Sequence, residues 1–304
     1  MSHKNIIKVR PKDYPKILKE NGYIFQIKDL KVRVGNILTC LENLLLIAKN
    51  TKSIARIRRF NDANILLLKQ NSEFDFRSNN VINCNKIVTT GRNFLNKNPF
   101  HEKMFIDKDK WCLKYLRGLI KKVPLHSNIN NDTLVIHIRG GDIFRKKPPH
   151  VHAHFYQPPF SFYKHIIQNS NHSDIIIISQ KKYRNPMVNK LLSYYPNIRL
   201  SDGDYFSDVN IILNAVHFVS ARSSFSFMLS RLSKNLKSVY FWGDDHWRWR
   251  EWPPNHNNCL SDNKLSITRF SSDDYIQVGE WQNTRDQHIM MDAFPIEKIR
   301  IEQV

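Results

Sequence analysis

The sequence predicts an α/β protein of two domains, whose parallel sheets are covered by helices and face each other across a cleft. The 304 residues are enough for two domains of ordinary size. The second half alternates strand-like apolar runs with segments of helical periodicity. A polar, asparagine-rich stretch at 124–132 separates the halves, so we place the domains at 1–130 and 131–304.

Four segments of the first half carry a secondary-structure signal. Apolar residues at 37–48, directly after Val34-Gly35-Asn36, predict a strongly apolar helix, and the segment 52–57 predicts a short strand. The apolar run at 64–68 fits a strand or a helix equally well. The spacing of the apolar residues at 108–122 predicts an amphipathic helix.

The second half of the chain is more regular. Apolar runs predict strands at 134–138, 174–179, 197–200, 217–220 and 238–242. Segments of helical periodicity lie between them, at 161–168, 186–193, 208–215 and 224–233. Strands and helices that alternate in this way form a parallel sheet with helices on both faces.

The charge balance predicts an anionic partner. The chain has 47 lysines and arginines against 27 aspartates and glutamates, a net charge of +20. This charge suits nucleic acid, a membrane surface or a phosphorylated small substrate. The first residues lack the apolar core of a secretory signal, and no apolar run approaches the ~18 residues of a membrane span. We therefore expect a cytoplasmic protein whose scattered cysteines are reduced.

The segment His137-Ile138-Arg139-Gly140-Gly141-Asp142 is the first candidate site. It follows a predicted strand, so it lies where ligands bind in open α/β sheets. An arginine at such a position suits a phosphate group. The alternative is an ordinary strand exit with an arginine–aspartate pair at the surface.

The second candidate site is the turn between the strand at 217–220 and the following helix. Ser223 or Ser224 is a good N-cap, the N–H groups of the first helical turn bind anions, and Arg222 adds positive charge. The alternative is a serine cap on a buried helix with no ligand. If both candidate turns lie at the same end of one parallel sheet, they converge on a diphosphate.

These two segments resemble the fucosyltransferases of the GT-B type that use GDP-fucose, which comprise α-1,2, α-1,6 and protein O-fucosyltransferases. His137, Arg139 and Asp142 match their donor motif, His-x-Arg-Arg-x-Asp. Gly140 stands where the second arginine is expected. The Ser-Ser-Phe-Ser segment of the α-1,2 branch is matched by Ser223, Ser224, Phe225 and Ser226.

Two weaker matches extend the resemblance over roughly residues 31–242. Asp208 resembles an aspartate that lies in a helix ahead of the Ser-Ser segment. Gly35-Asn36 resembles a Gly-Asn-Gln motif that precedes an apolar helix in the α-1,2 enzymes.

The resemblance implies a GT-B-like fold of two Rossmann-like domains, with the acceptor side in the N-terminal domain and the nucleotide sugar in the C-terminal domain. It implies that Arg139 is the catalytic residue, which binds the β-phosphate and stabilises the leaving GDP. Asp208 would accept hydrogen bonds from guanine, or else it is an ordinary residue of the helix start. His137 would lie near the nucleotide, or else it packs at the strand end. The implied donor site consists of His137, Arg139, Asp142, Asp208, Arg222, Ser223, Ser224, Phe225 and Ser226.

The expected reaction is an inverting, metal-independent transfer of fucose from GDP-fucose to a glycan. Breaking the bond between sugar and diphosphate leaves negative charge on the diphosphate, which arginine and helix N–H groups stabilise. No Asp-x-Asp motif stands where a catalytic metal would be held, so we predict neither a metal nor a cofactor. Because Gly140 departs from the family motif, another nucleotide sugar is the alternative donor. No general base for the acceptor hydroxyl is assigned.

The acceptor side is predicted from weaker signals. Gly35 and Asn36 are candidate acceptor contacts, as are Tyr156 and Gln157 in the proline-rich loop after the first candidate site. The alternative for this loop is a surface segment without a ligand. The expected acceptor is a glycan or a lipid-linked oligosaccharide in surface polysaccharide synthesis.

A tryptophan-rich segment suggests a further partner. Trp247, Trp249 and Trp252 alternate with Arg248 and Arg250. Such residues stack on sugar rings, or anchor a protein peripherally to anionic lipid at the inner face of the membrane. The alternative is that this segment packs onto the core.

Two other classes of function also fit parts of the sequence. A basic nucleic-acid-binding protein would explain the net charge, but no recognised nucleic-acid motif is present and we expect no specific nucleic acid partner. A catalytically inactive protein of the same fold, which only binds glycans, is permitted by Gly140.

Overall fold

The computed structural model describes residues 5–8, 23–27, 34–50, 52–57, 74–77, 86–90, 110–120, 129–144, 156–181, 185–201, 204–243, 259–277 and 279–304. The chain divides into two compact units, Met1–Lys122 and Val123–Val304, so the division falls a few residues before the expected boundary at 130/131. Each unit contains helices and a mainly parallel sheet, which confirms the predicted α/β class.

The first unit is built on a mainly parallel sheet. Its strands are β1 Asn5–Lys8, β2 Tyr23–Ile27, β3 Ile54–Ile57, β4 Phe74–Arg77 and β5 Lys86–Thr90, and its helices are α1 Val34–Asn50 and α2 Lys110–Leu119. Within the described residues the strand order is β1-β5-β2-β3-β4, and β4 runs antiparallel to β3 at the edge. The sequence predicts α1, β3 and α2 among these elements. The ambiguous run at 64–68 lies outside the described residues.

Helix α1 is buried because it is apolar on nearly every side. Leu41 and Leu45, for example, have no exposed surface, as expected of a helix without a polar face. The helix begins at Val34, a few residues before the predicted start, so Gly35 and Asn36 lie in its first turn. Across the described part of the chain, no helix is both long and apolar enough to cross a membrane.

The second unit contains a larger sheet. Its strands are β6 Thr133–Ile138, β7 Asp174–Ser179, β8 Ile198–Leu200, β9 His217–Ser220, β10 Ser238–Trp242, β11 Ser266–Ser271 and β12 Arg300–Gln303. Its helices are α3 Phe160–Asn169, α4 Pro186–Tyr194, α5 Tyr205–Asn214, α6 Ser224–Arg231 and α7 Arg285–Ala293. The strand order is β12-β11-β10-β9-β6-β7-β8, in which β12 is antiparallel and the other neighbours are parallel.

The strand order of the second unit contains a topological switch point. Counted along the chain from β6, the parallel strands of the described part of this unit lie in the order 3-2-1-4-5-6, which is that of a dinucleotide-binding Rossmann sheet. The chain first moves from β6 to β7 and β8, and then crosses back to β9 on the other side of β6. Ligands bind in such sheets outside the carboxyl ends of the two strands at which the direction reverses. In this unit those strands are β6 and β9.

The predicted strands and helices of the second unit are confirmed within a few residues. The largest difference is at α5, which begins at Tyr205 instead of 208. Asp204 caps the helix there, because its side chain accepts a hydrogen bond from the Ser207 N–H (2.9 Å). Strands β11 and β12 and helix α7 are not predicted, since their residues lack a clear apolar period. Helix α7, for instance, buries only Met291.

Strand β6 is buried on both faces of the sheet. Leu134, Ile136 and Ile138 belong to the hydrophobic core that α3 and α4 complete on one face. Residues of a strand alternate between the faces, so His137 points to the opposite face, where it meets α6. The strand thereby delivers Arg139 to the edge of the sheet from a rigid, fully packed element.

Candidate functional site

The two candidate segments lie side by side at the switch point. β6 and β9 are parallel neighbours, with Ile136 opposite Val219, so the chain leaves both strands at the same edge of the sheet. β6 continues into Arg139, and β9 continues through Ala221 into Arg222. Both candidate turns therefore lie at the same end of one parallel sheet, as a shared diphosphate site requires.

Arg139 links the two turns directly. Its half-buried side chain donates a hydrogen bond from Nη1 to the carbonyl oxygen of Arg222 (3.0 Å). This bond holds the guanidinium at the turn between β9 and α6. A guanidinium is a planar fork of N–H donors, a shape that suits the oxygens of a phosphate.

The start of α6 adds a second positive element. Ser223 is the N-cap, and its hydroxyl oxygen accepts a hydrogen bond from the Ser226 N–H (3.1 Å). Ser224 and Phe225 form the first turn, where N–H groups have no partner within the helix and the macrodipole is positive. Arg222 immediately precedes the cap and is 8% exposed. Arginine and helix start together make this edge of the sheet favourable for an anion.

His137 is held between β6 and α6. Its Nδ1 forms a hydrogen bond with the Ser226 hydroxyl, and its ring lies 5.3 Å from the ring of Phe225, centroid to centroid. Burial, and to a lesser extent the charge of Arg139, lowers the pKa of His137 to about 3. The imidazole is therefore neutral at physiological pH and adds no charge to the site. Its proximity to a nucleotide stays a prediction.

Asp208 lies in α5, the start of which contacts the start of α6. The ring of Tyr205 stacks on that of Phe225, with 5.9 Å between centroids and 24° between planes. The Asp208 side chain is buried and accepts a hydrogen bond from the hydroxyl of Ser201, which follows β8. Ser201, which orients this carboxylate, lies in a segment that carries no signal of a site in the sequence. Contact of Asp208 with guanine stays a prediction.

Gly140 and Gly141 let the chain turn sharply after Arg139. Gly141 has a φ of +68°, and a Cβ at this position would lie 1.9 Å from Oε1 of Gln180, which follows β7. Glycine is therefore favoured at 141, because another residue is strained at this φ and its Cβ would displace the end of the Gln180 side chain. Asp142 lies in the short 3₁₀ turn Gly141–Phe144, and its side chain is outside the described residues.

Tyr156 and Gln157, expected at the acceptor, are buried beside the site. The ring of Tyr156 faces the Arg222 guanidinium, 5.6 Å from centroid to carbon, and packs against the ring of Tyr275. Gln157 is 1% exposed, and its amide donates to the hydroxyl of Tyr163 (3.2 Å). In this structure both side chains are enclosed by protein, so they support the site from inside the unit.

Asn185 is a residue of this region that the sequence analysis does not single out. It has no exposed surface. Its Nδ2 donates to the carbonyl oxygen of Arg139 (3.0 Å) and to Oε1 of Gln157 (2.6 Å), and its Oδ1 accepts from the Met187 N–H (2.9 Å). A local signal does exist, since asparagine before Pro186 is a typical helix start. Nothing in the sequence points to the contact with Arg139.

The remaining predicted residues are not brought to this edge by any described contact. Gly35 lies in the first turn of α1, where its carbonyl oxygen accepts a hydrogen bond from the Thr39 hydroxyl (3.0 Å), and Asn36 is half-buried beside it. Both belong to the first unit, and their acceptor role stays a prediction. The tryptophan-rich segment at 247–252 lies outside the described residues. Among the residues that are described, no group of three or more histidine, cysteine or acidic side chains could hold a metal ion.

Comparisons with known proteins find little similarity. No family model matches the chain, and no curated protein matches it. A solved structure of a glycosyl transferase family 9 protein from Veillonella parvula is similar over 82% of this chain and 87% of its own, with 8% identity and a TM-score of 0.43.

Proposed function

We propose that this chain is a glycosyltransferase, and that it binds the diphosphate of a nucleotide sugar between the turns that follow β6 and β9. The hydrogen bond from Arg139 Nη1 to the carbonyl oxygen of Arg222 is the observation that carries the proposal. It joins Arg139 to the turn that contains the buried Arg222 and leads into the capped start of α6. All three lie at the switch point of a Rossmann-type sheet. Each of these features suits a phosphate, and their combination suits two adjacent phosphates.

The proposed chemistry needs little beyond this positive edge. When the bond between sugar and diphosphate breaks, positive charge develops on the sugar and negative charge on the departing diphosphate. Arg139, as the catalytic residue, and the N–H groups at the start of α6 stabilise that negative charge from fixed positions. An acceptor hydroxyl attacks the anomeric carbon from the opposite side, forms the new glycosidic bond and loses its proton. The configuration at that carbon is thereby inverted. Activity is expected to survive excess EDTA, because these groups take the place of a divalent metal.

The proposed donor is GDP-fucose, and the group transferred is fucose. The motif formed by His137, Arg139 and Asp142 supports it, and so does the placement of Asp208 in the helix beside α6. Gly140 departs from the fucosyltransferase motif, so a different nucleotide sugar is the alternative.

The proposed acceptor is a glycan or lipid-linked oligosaccharide in surface polysaccharide synthesis. Gly35 and Asn36 remain candidate contacts. Because Tyr156 and Gln157 are enclosed by protein, the proposed acceptor site does not include them. Peripheral association with anionic membrane, through the segment at 247–252, belongs to the same proposal.

A panel of nucleotide sugars tests the proposal by thermal shift. A ligand at ~100 times its Kd adds about 2.7 kcal/mol of stability, which raises Tm by roughly 5–10 °C in a unit of this size. We expect GDP-fucose to raise Tm and UDP-glucose and CMP-sialic acid to leave it unchanged. A shift with a UDP- or CMP-sugar alone would overturn the guanine assignment, and no shift with any nucleotide sugar would overturn the proposed function.

The net charge of +20 also suits nucleic-acid binding, which is the alternative function that a salt titration distinguishes. Binding through many phosphate contacts weakens steeply as salt rises. Tight duplex binding at low salt, with a steep salt slope and no response to nucleotide sugars, would favour that second class.

A further inference from the structure

The backbone that follows Arg139 has little intrinsic stiffness. Gly140 and Gly141 come next, and glycine allows a wide range of backbone dihedral angles because it has no Cβ. A catalytic group must stay within a fraction of an ångström of its working position. Strand β6 fixes the backbone on the N-terminal side of Arg139, so the peptide group on its C-terminal side needs a restraint from another part of the fold.

We propose that Asn185 supplies this restraint and is a positioning residue for Arg139. Its Nδ2 donates to the carbonyl oxygen of Arg139, in the peptide group that joins Arg139 to Gly140 (3.0 Å). The guanidinium of the same arginine is tied to the carbonyl oxygen of Arg222 (3.0 Å). One bond holds the backbone and the other holds the side chain, so Arg139 is fixed at both ends. This inference rests on the proposed function, in which Arg139 binds the diphosphate.

The orientation of the Asn185 amide is itself determined by its partners. The oxygen accepts the Met187 N–H at the start of α4 (2.9 Å), so the amide nitrogen must face Arg139 and Gln157. Gln157 is held in turn, because its backbone carbonyl oxygen accepts a hydrogen bond from the Tyr275 hydroxyl (2.9 Å). The restraint on Arg139 is thus anchored to a helix start and to the aromatic core.

Helix capping alone does not explain an asparagine at this position. Serine, threonine and aspartate cap helices about as well as asparagine does. An ionised aspartate has no donor, and a hydroxyl supplies one hydrogen where Asn185 donates two bonds. Among the common capping residues, asparagine combines the cap oxygen with two donors that reach Arg139 and Gln157.

The test uses Asn185→Ser, which keeps a cap oxygen but loses the two donated bonds. Calorimetry measures the Kd of GDP and of guanosine for wild type and variant, and kinetics separates kcat from KM for the donor. We expect the Kd of GDP to rise about tenfold, the effect of weakening one or two oriented hydrogen bonds. The Kd of guanosine is expected to stay unchanged, because guanosine carries no diphosphate. If the donor panel selects uracil, UDP and uridine replace this pair.

Asn185→Asp is the second variant. An ionised carboxylate keeps the cap oxygen but has no hydrogen to donate, so both donated bonds are lost. Its Kd for GDP is expected to rise at least as much as that of Asn185→Ser, and its Kd for guanosine is expected to stay unchanged.

Thr284→Ala serves as the matched control, because Thr284 caps α7 in the same way by accepting from the Gln287 N–H (3.3 Å). It is expected to lower Tm and leave both affinities unchanged. Equal losses of GDP and guanosine in Asn185→Ser, or unchanged GDP affinity in both Asn185 variants, would overturn the positioning role alone. Wild type that binds neither GDP nor UDP would overturn the proposed function itself, and with it this inference.

Discussion

The two edges of the second-unit sheet use arginine in different ways. Near the amino ends of the strands, Arg199 forms a forked ion pair with Asp174, with distances of 2.7–2.9 Å. At the carboxyl ends, Arg139 donates to the carbonyl oxygen of Arg222 (3.0 Å). The ion pair joins β7 to β8, whereas the bond to a backbone carbonyl oxygen fixes the Arg139 side chain at the turn that follows β9. The same sheet thus uses one arginine to join two strands and another to join the two turns at its carboxyl ends.

The histidines near the two ends of the strands also have different kinds of partner. His217, near the amino ends, bonds through both ring nitrogens, to the Ser238 hydroxyl (2.8 Å) and to the carbonyl oxygen of Asn131 (3.1 Å). His137, near the carboxyl ends, is placed by Ser226 beside Phe225 in the first turn of α6. His217 thus connects β9 to β10 and to the segment before β6, whereas His137 connects β6 to the start of α6.

The largest expected effect separates Arg139 from Arg199. Arg139→Ala is expected to lower kcat/KM by roughly 10²–10³ or more, the cost of removing one preorganised donor to developing charge. The free energy of unfolding is expected to change little, because the side chain lies at a strand exit. Arg199→Ala is expected to leave kcat/KM unchanged and to lower the free energy of unfolding by about 0.2–1 kcal/mol, as for exposed ion pairs. Steady-state kinetics and urea denaturation measure both.

Arg139→Lys sharpens this comparison. Lysine keeps the charge but lacks the planar fork, so it is expected to restore little of the lost activity. Turnover near that of wild type in Arg139→Ala would contradict the donor-site assignment.

The second expected effect concerns the carboxylates at the two edges. Asp208→Asn is expected to weaken GDP binding by ~1.5–3 kcal/mol, the range for hydrogen bonds to a charged group. Asp174→Asn, at the amino edge, is expected to leave GDP binding unchanged. Calorimetry with GDP and inosine diphosphate measures both variants, and Asp208→Asn should lose less with inosine diphosphate, which lacks the 2-amino group. If Asp208→Asn binds GDP like wild type, the base is read elsewhere.

A third prediction compares two glycines. Gly141→Ala is expected to lower the free energy of unfolding by about 1–3 kcal/mol, because alanine is strained at φ +68° and its Cβ would meet Gln180. Gly118→Ala in α2 is expected to raise it by up to about 1 kcal/mol, since nothing lies within 4 Å of the added Cβ. Urea denaturation measures both changes. Adding Gln180→Ala to Gly141→Ala should recover part of the loss, and no recovery would mean that backbone strain alone matters.

The smallest expected effect is the pH dependence that His137 confers. Its pKa is lowered from 6.5 to about 3 in the folded protein, so the unfolded chain binds the additional proton as pH falls below about 6.5. Stability that is fully present above that pH is therefore lost on acidification. Between pH 7 and 5.5 wild type should lose about 1 kcal/mol more than His137→Gln does. Parallel urea titrations at the two pH values measure this, and equal losses would show that folding does not lower the pKa of His137.

The second unit could be predicted well because its signals are local. Strand β7 Asp174–Ser179 has the predicted bounds, since an unbroken apolar run between polar residues identifies a buried strand. Ser223, one of the two predicted caps, caps α6, because a cap depends on residues within one turn. The first unit offers less: β4 Phe74–Arg77 alternates aromatic and charged residues over only four positions, which is too short to be identified from periodicity.

The sequence by itself determined the alternation of strands and helices after residue 130, the segment that carries Arg139, and the serine cap before α6. Only the tertiary structure decided that β6 and β9 are neighbours, which brings together Arg139 and Arg222 across 83 positions of the chain. It also decided that Asn185 holds the Arg139 carbonyl across 46 positions. The physical reason is the range of the forces. Capping and periodicity act within a turn or two, whereas strand order and the partners of buried polar groups are set by packing the whole sheet.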